Sequence, residues 1–265
     1  NYFKSFWPAN YHVIGKDIVR FHAVYWPAFL MAANIEPPKS IFCHGFLNID
    51  GLKMSKSLGN VLSPEELVNE YGLDQLRYFL LREVPFGQDG NFSHKQIVQR
   101  INNDLANDLG NLAQRVLSFV NKNCLAQVPE YSEVTQLDYK FISNFESLFG
   151  KTNNLINNNL EFHNVLAEIW SCISLANQYI DEQAPWKLKN NDVNRMNTVI
   201  YILICCIKYV SILLQPFMPN SCSLLLDQIS VKDNNRNFNE LDNFFSIIPG
   251  TKLPKPVGIF PRFSD

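Results

Sequence analysis

The sequence predicts an α/β unit followed by an all-α helix bundle. Residues 1–92 hold most of the glycines and alternate short apolar runs with helical patterns, as α/β units do. From Ser93 onward the pattern changes to long amphipathic runs with almost no glycine, so residues 93–265 read as the bundle. A chain of 265 residues with 46% hydrophobic content is long enough to give each part its own core.

The first strand is Tyr11-His12-Val13-Ile14, stopped by Gly15. Asp17 can cap a helix over residues 17–31, with Ile18, Phe21, His22, Tyr25 and Phe29 on one side and Pro27 expected to kink it. Glu36-Pro37-Pro38-Lys39 is a turn, after which residues 41–47 form a second strand feeding a Gly- and Ser-rich loop at 51–59. Strand, helix and strand in that order predict a right-handed crossover in a parallel sheet. The bundle helices are expected at residues 93–121, 137–156, 161–180 and 193–214, and the Pro-rich tail at 254–263 is expected to fold back over the body.

The formal charge of −2 supplies no global field for a polyanion, so a nucleic-acid partner must be met by local patches. Six cysteines stand without a C-x-x-C pair or a histidine at ligand spacing, which disfavours zinc and a disulfide framework and favours a reducing compartment. Residues 199–214 are the most apolar stretch, but they are shorter than a bilayer needs and interrupted by Lys208, so they read as a buried helix. No signal peptide opens the chain, and its first residue is Asn1 rather than Met.

The sharpest chemical signal is Lys53-Met54-Ser55-Lys56-Ser57, flanked by Gly51 and Gly59. Two lysines three apart on a glycine-hinged loop can bring two ammonium groups onto a polyphosphate, while the serine hydroxyls bond phosphate oxygens or brace the loop. This pentapeptide resembles the lysine-loop signature of class I aminoacyl-tRNA synthetases. His12-Val13-Ile14-Gly15-Lys16-Asp17-Ile18, Phe21-His22 and Trp26-Pro27-Ala28 are similar to the methionyl-tRNA synthetases in particular. The resemblance continues through Asp181-Glu182-Gln183-Ala184-Pro185-Trp186 to Phe260-Pro261-Arg262.

The resemblance implies a Rossmann-like catalytic portion over residues 1–92 and a helical anticodon-binding domain over 93–265. It implies formation of methionyl-adenylate from methionine and ATP with Mg2+, then transfer to methionine tRNA, in the cytoplasm. Charge builds on the departing pyrophosphate, so Lys56 matches the catalytic lysine, with Lys53 as helper and Ser55 bracing the phosphates. Gly15 lies at a strand end, where adenosine can approach the backbone, and Asp17 can accept bonds from ribose hydroxyls; a plain N-cap role is the alternative. His12 lines the ATP site or is a core histidine. His22, with Phe21 and Trp26, is assigned to a methionine pocket, since a thioether packs well on rings; a core stripe is the alternative.

Asn111 and Arg115, four apart on one helix face, and Trp186 match the family's anticodon readers. Taken singly they are a surface amide, one end of an ion pair and a plug at a helix junction. The family's His-Ile-Gly-His motif is absent, as are the residues that hold the methionine ammonium and the connective segment that carries zinc in some members. All lie upstream in family order, so the chain is expected to be the C-terminal portion of such an enzyme, inactive alone, monomeric and without membrane contact. A tRNA-binding module without catalysis is the competing expectation.

Overall fold

The structure, a computed structural model, describes residues 2–55 and 59–264. The chain divides into two compact units, Asn1–Leu62 with Glu83–Ser93, and Ser63–Arg82 with His94–Asp265.

In the first unit, helix α1 (Tyr2–Phe6) precedes strand β1 (His12–Gly15). This strand pairs in parallel with β2 (Ile41–His44), His12 opposite Ile41 and Gly15 opposite His44. Parallel neighbours need a crossover, which residues 16–40 supply. That crossover is not the single capped helix expected from Asp17. Gly15 leads into a tight turn, Lys16–Ile18, without a side-chain cap. A wide turn follows at Phe21–Tyr25, where the Trp26 N–H bonds to the Phe21 carbonyl five residues back, and α2 proper is only Trp26–Ala32. Pro27 accounts for the break: it has no N–H to donate, and its ring would strike the carbonyl four residues earlier unless the preceding turn widened.

The second predicted strand is also shorter than expected. It ends at His44, because the Phe46 N–H turns away to donate to the Asp89 carboxylate at 2.8 Å. Leu47–Ile49 is a separate strand, β3, at the centre of a second sheet with β4 (Leu52–Lys53) antiparallel and β5 (Gly90–Phe92) parallel to it. Asp50 and Gly51, both at positive φ, form the two-residue turn between β3 and β4. Ile14, Leu30 and Phe92 are buried in this unit, whereas Val13, Phe21, Phe29 and Met31 stay exposed.

The second unit is helical. Helix α3 (Pro64–Tyr71) is capped by the Ser63 hydroxyl, and α4 (Leu73–Glu83) follows. Helix α5 (His94–Arg100) continues through a wide segment at Ile101–Gly110 into α6 (Asn111–Asn123), one continuous rod where the sequence predicts an amphipathic run. The Trp170 indole N–H and the Asn177 amide donate to the Asp104 and Asp108 carbonyls along that segment, at 3.2 Å each. The run at 137–156 is two helices, α7 (Gln136–Glu146) and α8 (Leu148–Asn159), hinged at Ser147.

Helix α9 (Phe162–Gln183) ends at Ala184, which takes positive φ and starts the short α10 (Pro185–Leu188). Helix α11 (Val193–Leu214) is buried without a break over residues 198–214, as its apolar composition predicts, and α12 (Pro219–Gln228) completes the bundle. Lys208 is tolerated in α11 because its ammonium donates to Glu240 at 3.0 Å and Ser246 at 2.6 Å. The tail does fold back: Phe263 exchanges two backbone bonds with the Asn102 side chain, and Phe260 is buried.

Candidate functional site

At the carboxyl end of β1 the chain offers Gly15 and Asp17. A Cβ built on Gly15 would fall 2.6 Å from the Asp17 carboxylate, so glycine is what lets that carboxylate stand at the strand end. Lys16, between them, donates to both oxygens of Asp89 at 2.7 Å. The Lys16 bond, joined by the Phe46 N–H, holds the Asp89 carboxyl below the usual carboxylate range. The ammonium groups of Lys16 and Lys53 lie 4.8 and 5.0 Å from the Phe46 ring centroid, so two cations converge on one aromatic ring.

Lys53 closes the β3–β4 pairing opposite Asn48, which places the lysine loop at the end of an ordered hairpin. The Ser55 N–H donates to Asn60 Oδ1 at 2.8 Å, and Asn60 Nδ2 donates to the Lys53 carbonyl at 3.2 Å. Lys56, the residue to which the sequence assigns the catalytic charge, lies outside the described residues.

The aromatic residues gather around one cavity of about 640 Å³, lined by Trp7, His12, Phe21, His22, Tyr25, Trp26 and Phe29. Phe21, His22 and Tyr25 come from the wide turn itself, and Trp26 from the start of α2 that follows it. His22 is oriented by a 3.0 Å contact between Nδ1 and the Ile18 carbonyl, and its ring meets His12 edge-on at 6.3 Å. His12 thus lines the aromatic cavity, with Nδ1 buried and unbonded among the described residues. Sequence reading missed Trp7, and it placed Tyr25 and Phe29 on the same side as His22 without assigning them to the pocket. Trp7 comes from a segment with no repeating pattern, though its indole N–H is fixed on the Glu36 carbonyl at 2.7 Å.

In the second unit, Arg115 on α6 is hydrogen-bonded to Asp181 on α9, and its guanidinium lies 5.7 Å from the centroid of the Trp186 ring. Trp186 is 43% exposed, so part of its ring stays open to solvent. Asn111, one turn before Arg115, opens on a cavity of about 610 Å³ that it shares with Asn107, Gln114 and Arg262. Arg262 donates to Asn107 at 2.7 Å.

A parallel strand ending at Gly15–Asp17 and the Lys53–Ser57 sequence, in a chain that also carries a helical bundle, fit a class I aminoacyl-tRNA synthetase. Residues 1–117 match the family model described as tRNA synthetases class I (M). Residues 128–265 match the model described as the anticodon binding domain of methionyl tRNA ligase. The chain belongs to the methionyl-tRNA synthetase family.

It is 50% identical over 259 residues to the methionine–tRNA ligase of Rhizobium meliloti, covering 98% of this chain and 50% of that protein. To the Mycobacterium leprae ligase it is 46% identical over 265 residues, covering 98% of this chain and 49% of the relative. Among solved structures, Mycobacterium tuberculosis methionyl-tRNA synthetase in complex with methionyl-adenylate superposes with a TM-score of 0.93 at 46% identity, covering 98% of this chain and 51% of that one. Its apo form gives a TM-score of 0.91 at 42% identity, with 99% and 51% covered. The fold is therefore part of a Rossmann-like catalytic domain followed by a helical anticodon-binding domain, and the chain spans about half the length of the relatives it matches.

Proposed function

We propose that this chain supplies the lysine-loop part of the catalytic site and the anticodon-binding bundle of an enzyme that joins methionine to its tRNA through methionyl-adenylate. The observation that carries the reading is the aromatic cavity around His22, built on the crossover that leaves the Gly15–Asp17 strand end. Seven rings and ring-like side chains around about 640 Å³ suit a soft, polarisable thioether, and the amino acid's carboxylate is then directed toward the nucleotide end of β1.

In this reading Asp17 accepts the ribose hydroxyls and Gly15 leaves room for adenosine. Phe21, His22 and Trp26 hold the methionine side chain, with His12 between the two substrates. Lys53, Ser55 and Lys56 receive the triphosphate. Attack of the methionine carboxylate on the α-phosphorus breaks the bond to pyrophosphate, and the charge left on the departing oxygens is met by the lysine ammoniums more strongly than it is in the ground state. Among the described residues no group of three or more His, Cys, Asp or Glu side chains is placed to hold a metal. Mg2+ bound to the ATP phosphates would neutralise part of their charge.

Asn111, Arg115 and Trp186 recognise the unstacked anticodon, the tryptophan as a stacking plate and the two polar side chains at base edges. The partners are methionine, ATP and methionine tRNA; the enzyme works as a cytoplasmic monomer away from membranes. A chimera joining the unmatched half of the Rhizobium meliloti ligase to this chain tests the proposal. Methionine-dependent exchange of pyrophosphate into ATP is expected, and exchange that does not depend on methionine would overturn the assignment.

A further inference from the structure

Trp186 stands on α10, a four-residue helix between α9 and α11, so its placement depends on what fixes the two ends of a short segment. Ala184 turns into that segment at φ 44° and ψ 60°, a left-handed backbone that a residue with a Cβ keeps only where its surroundings hold it. The last turn of α9 supplies the hold. Gln183 Oε1, immediately before the corner, accepts a hydrogen bond from Arg195 Nη2 on α11 at 2.6 Å. The same guanidinium is bound by both oxygens of the fully buried Asp138 on α7, at 2.5 and 2.8 Å. Tyr179, one turn before Gln183 on the same face of α9, donates to that carboxylate at 2.7 Å.

Arg195 also holds the far end. Its backbone N–H donates to Asp192 Oδ1 at 2.9 Å, and the Asp192 N–H donates to the carbonyl of Leu188, the last residue of α10, at 2.7 Å. One residue therefore ties both the entry and the exit of the segment 184–192 to a buried ion pair. Asp181, two residues before Gln183 and so on the other side of α9, meanwhile bonds the Arg115 whose guanidinium lies near the Trp186 ring. We propose that Gln183 and Arg195 are positioning residues for RNA recognition, fixing the Ala184 corner so that the Trp186 ring is already set when an anticodon base arrives. This rests on the functional reading above and deepens it. Ring stacking is favourable over a limited range of offset and tilt, and a plate fixed beforehand loses less freedom on binding. A carboxamide suits the junction: its oxygen accepts from a guanidinium that Asp138 already neutralises, and it brings no charge of its own beside incoming phosphates.

The test uses the 265-residue chain at low salt with two RNA hairpins, one carrying the methionine anticodon and one with all three anticodon bases replaced. Q183M keeps volume and helix propensity but removes the acceptor, whereas Q183E keeps an acceptor for Arg195. Q183M is expected to weaken the methionine hairpin by about 3- to 10-fold, part of the loss that removing a stacking ring brings. The replaced hairpin, held through its phosphates, should stay within about twofold. Q183E should retain the parent's ratio of the two affinities, since its added charge acts on both hairpins alike. With 5-fluorotryptophan incorporated, the Trp186 fluorine signal, identified by its loss in W186F, is expected to shift or broaden in Q183M while the other three tryptophan signals keep their parent positions. Unchanged discrimination in Q183M, loss of it in Q183E, or equal weakening of both hairpins with a lower melting temperature would overturn the positioning role. A parent that does not discriminate, or a W186A variant that discriminates as the parent does, sinks the anticodon reading itself and the positioning role with it; discrimination lost in W186A and kept in Q183M removes the positioning role alone.

Discussion

The guanidinium of Arg115 lies 5.7 Å from the centre of the Trp186 ring while Asp181 accepts a hydrogen bond from its edge. The cation is thereby fixed against one aromatic plate by a carboxylate from a different helix. With 43% of its surface open, Trp186 keeps ring area available for a base. An arginine held in this way would pay little ordering entropy on binding RNA, as the proposed function requires.

From that arrangement, Trp186→Ala is expected to weaken methionine tRNA binding by about 1 to 3 kcal/mol, the usual cost of losing a stacked base. Arg115→Ala is expected to act in the same direction. Methionine-dependent pyrophosphate exchange in the chimera should stay within about twofold for both, because that reaction involves no tRNA. Equilibrium binding and exchange on one preparation decide it; parallel loss of both, together with a lower melting temperature, would mean that Trp186 is a structural plug.

Lys56→Ala in the chimera is expected to lower the rate of adenylate formation by about 2 to 4 kcal/mol of transition-state stabilisation, the scale seen when one preorganised donor is removed. Methionine affinity should change little, since the charge met by the lysine exists only as pyrophosphate departs. An unchanged single-turnover rate constant would remove Lys56 from the mechanism.

Asp138 supports the bundle and gives it an acid limit. Its carboxylate has no exposure, and it accepts from Arg195 at 2.5 and 2.8 Å, from Tyr179 at 2.7 Å and from Thr135 at 2.9 Å. Burial alone would raise this carboxyl, but the bonds from Arg195, Tyr179 and Thr135 outweigh it and hold it down to about 2. A carboxyl lowered in the folded state stabilises fully above its unfolded value near 3.8 and loses that contribution as pH falls toward about 2. The contribution is about 2 kcal/mol by linkage. Helical signal against denaturant, measured between pH 5 and pH 2, should show stability falling through that window. Asp138→Asn, which leaves Arg195 without its counter-charge, is expected to lower stability by about 3 kcal/mol at pH 7 and to flatten the acid slope. An acid slope equal to the parent's would show that other carboxyls set it.

The parts of this fold that could be read from the sequence are those carried by local pattern. The two parallel strands, the apolar helix α11 and the returning tail follow from apolar runs, spacing and proline content. What escaped reading depends on partners distant in the chain or on a choice between nearly equal backbone states. Lys16 meets Asp89 across 73 positions, and nothing near either residue announces it. The hinge at Ser147 interrupts an amphipathic run with no glycine or proline at the break, Gly150 lying three residues on within α8, and the wide turn at Phe21–Tyr25 is a response to Pro27 that a kink or a helix end would have met equally well. At the site, motif residues were legible by type, whereas Asn60 became visible only through the two backbone atoms it touches.

The isolated 265-residue chain is predicted to bind methionine tRNA weakly and to make no methionyl-adenylate. The second unit supplies its own core: α11 is buried over 17 consecutive residues, 198–214, and α9 contributes Val165, Leu166, Ile169 and Ile173. Its short connections let it fold without outside help. The first unit is different. Among its described residues, Ile14, Leu30 and Phe92 are the large apolar side chains that reach burial, and Phe21 at 58% and Phe29 at 67% exposure leave the aromatic cavity open along one side. A two-stranded parallel sheet with apolar neighbours this exposed is marginal by itself, so the aromatic cavity and the lysine signature are expected to act only when this unit is covered. Pyrophosphate exchange and binding of an anticodon stem-loop should be measured on one preparation of the chain, the latter at low salt, where phosphate contacts are strongest. Exchange at a rate on the order of 1 per second or more would show that this unit is catalytically self-sufficient, and failure to bind the stem-loop would remove RNA recognition from the bundle.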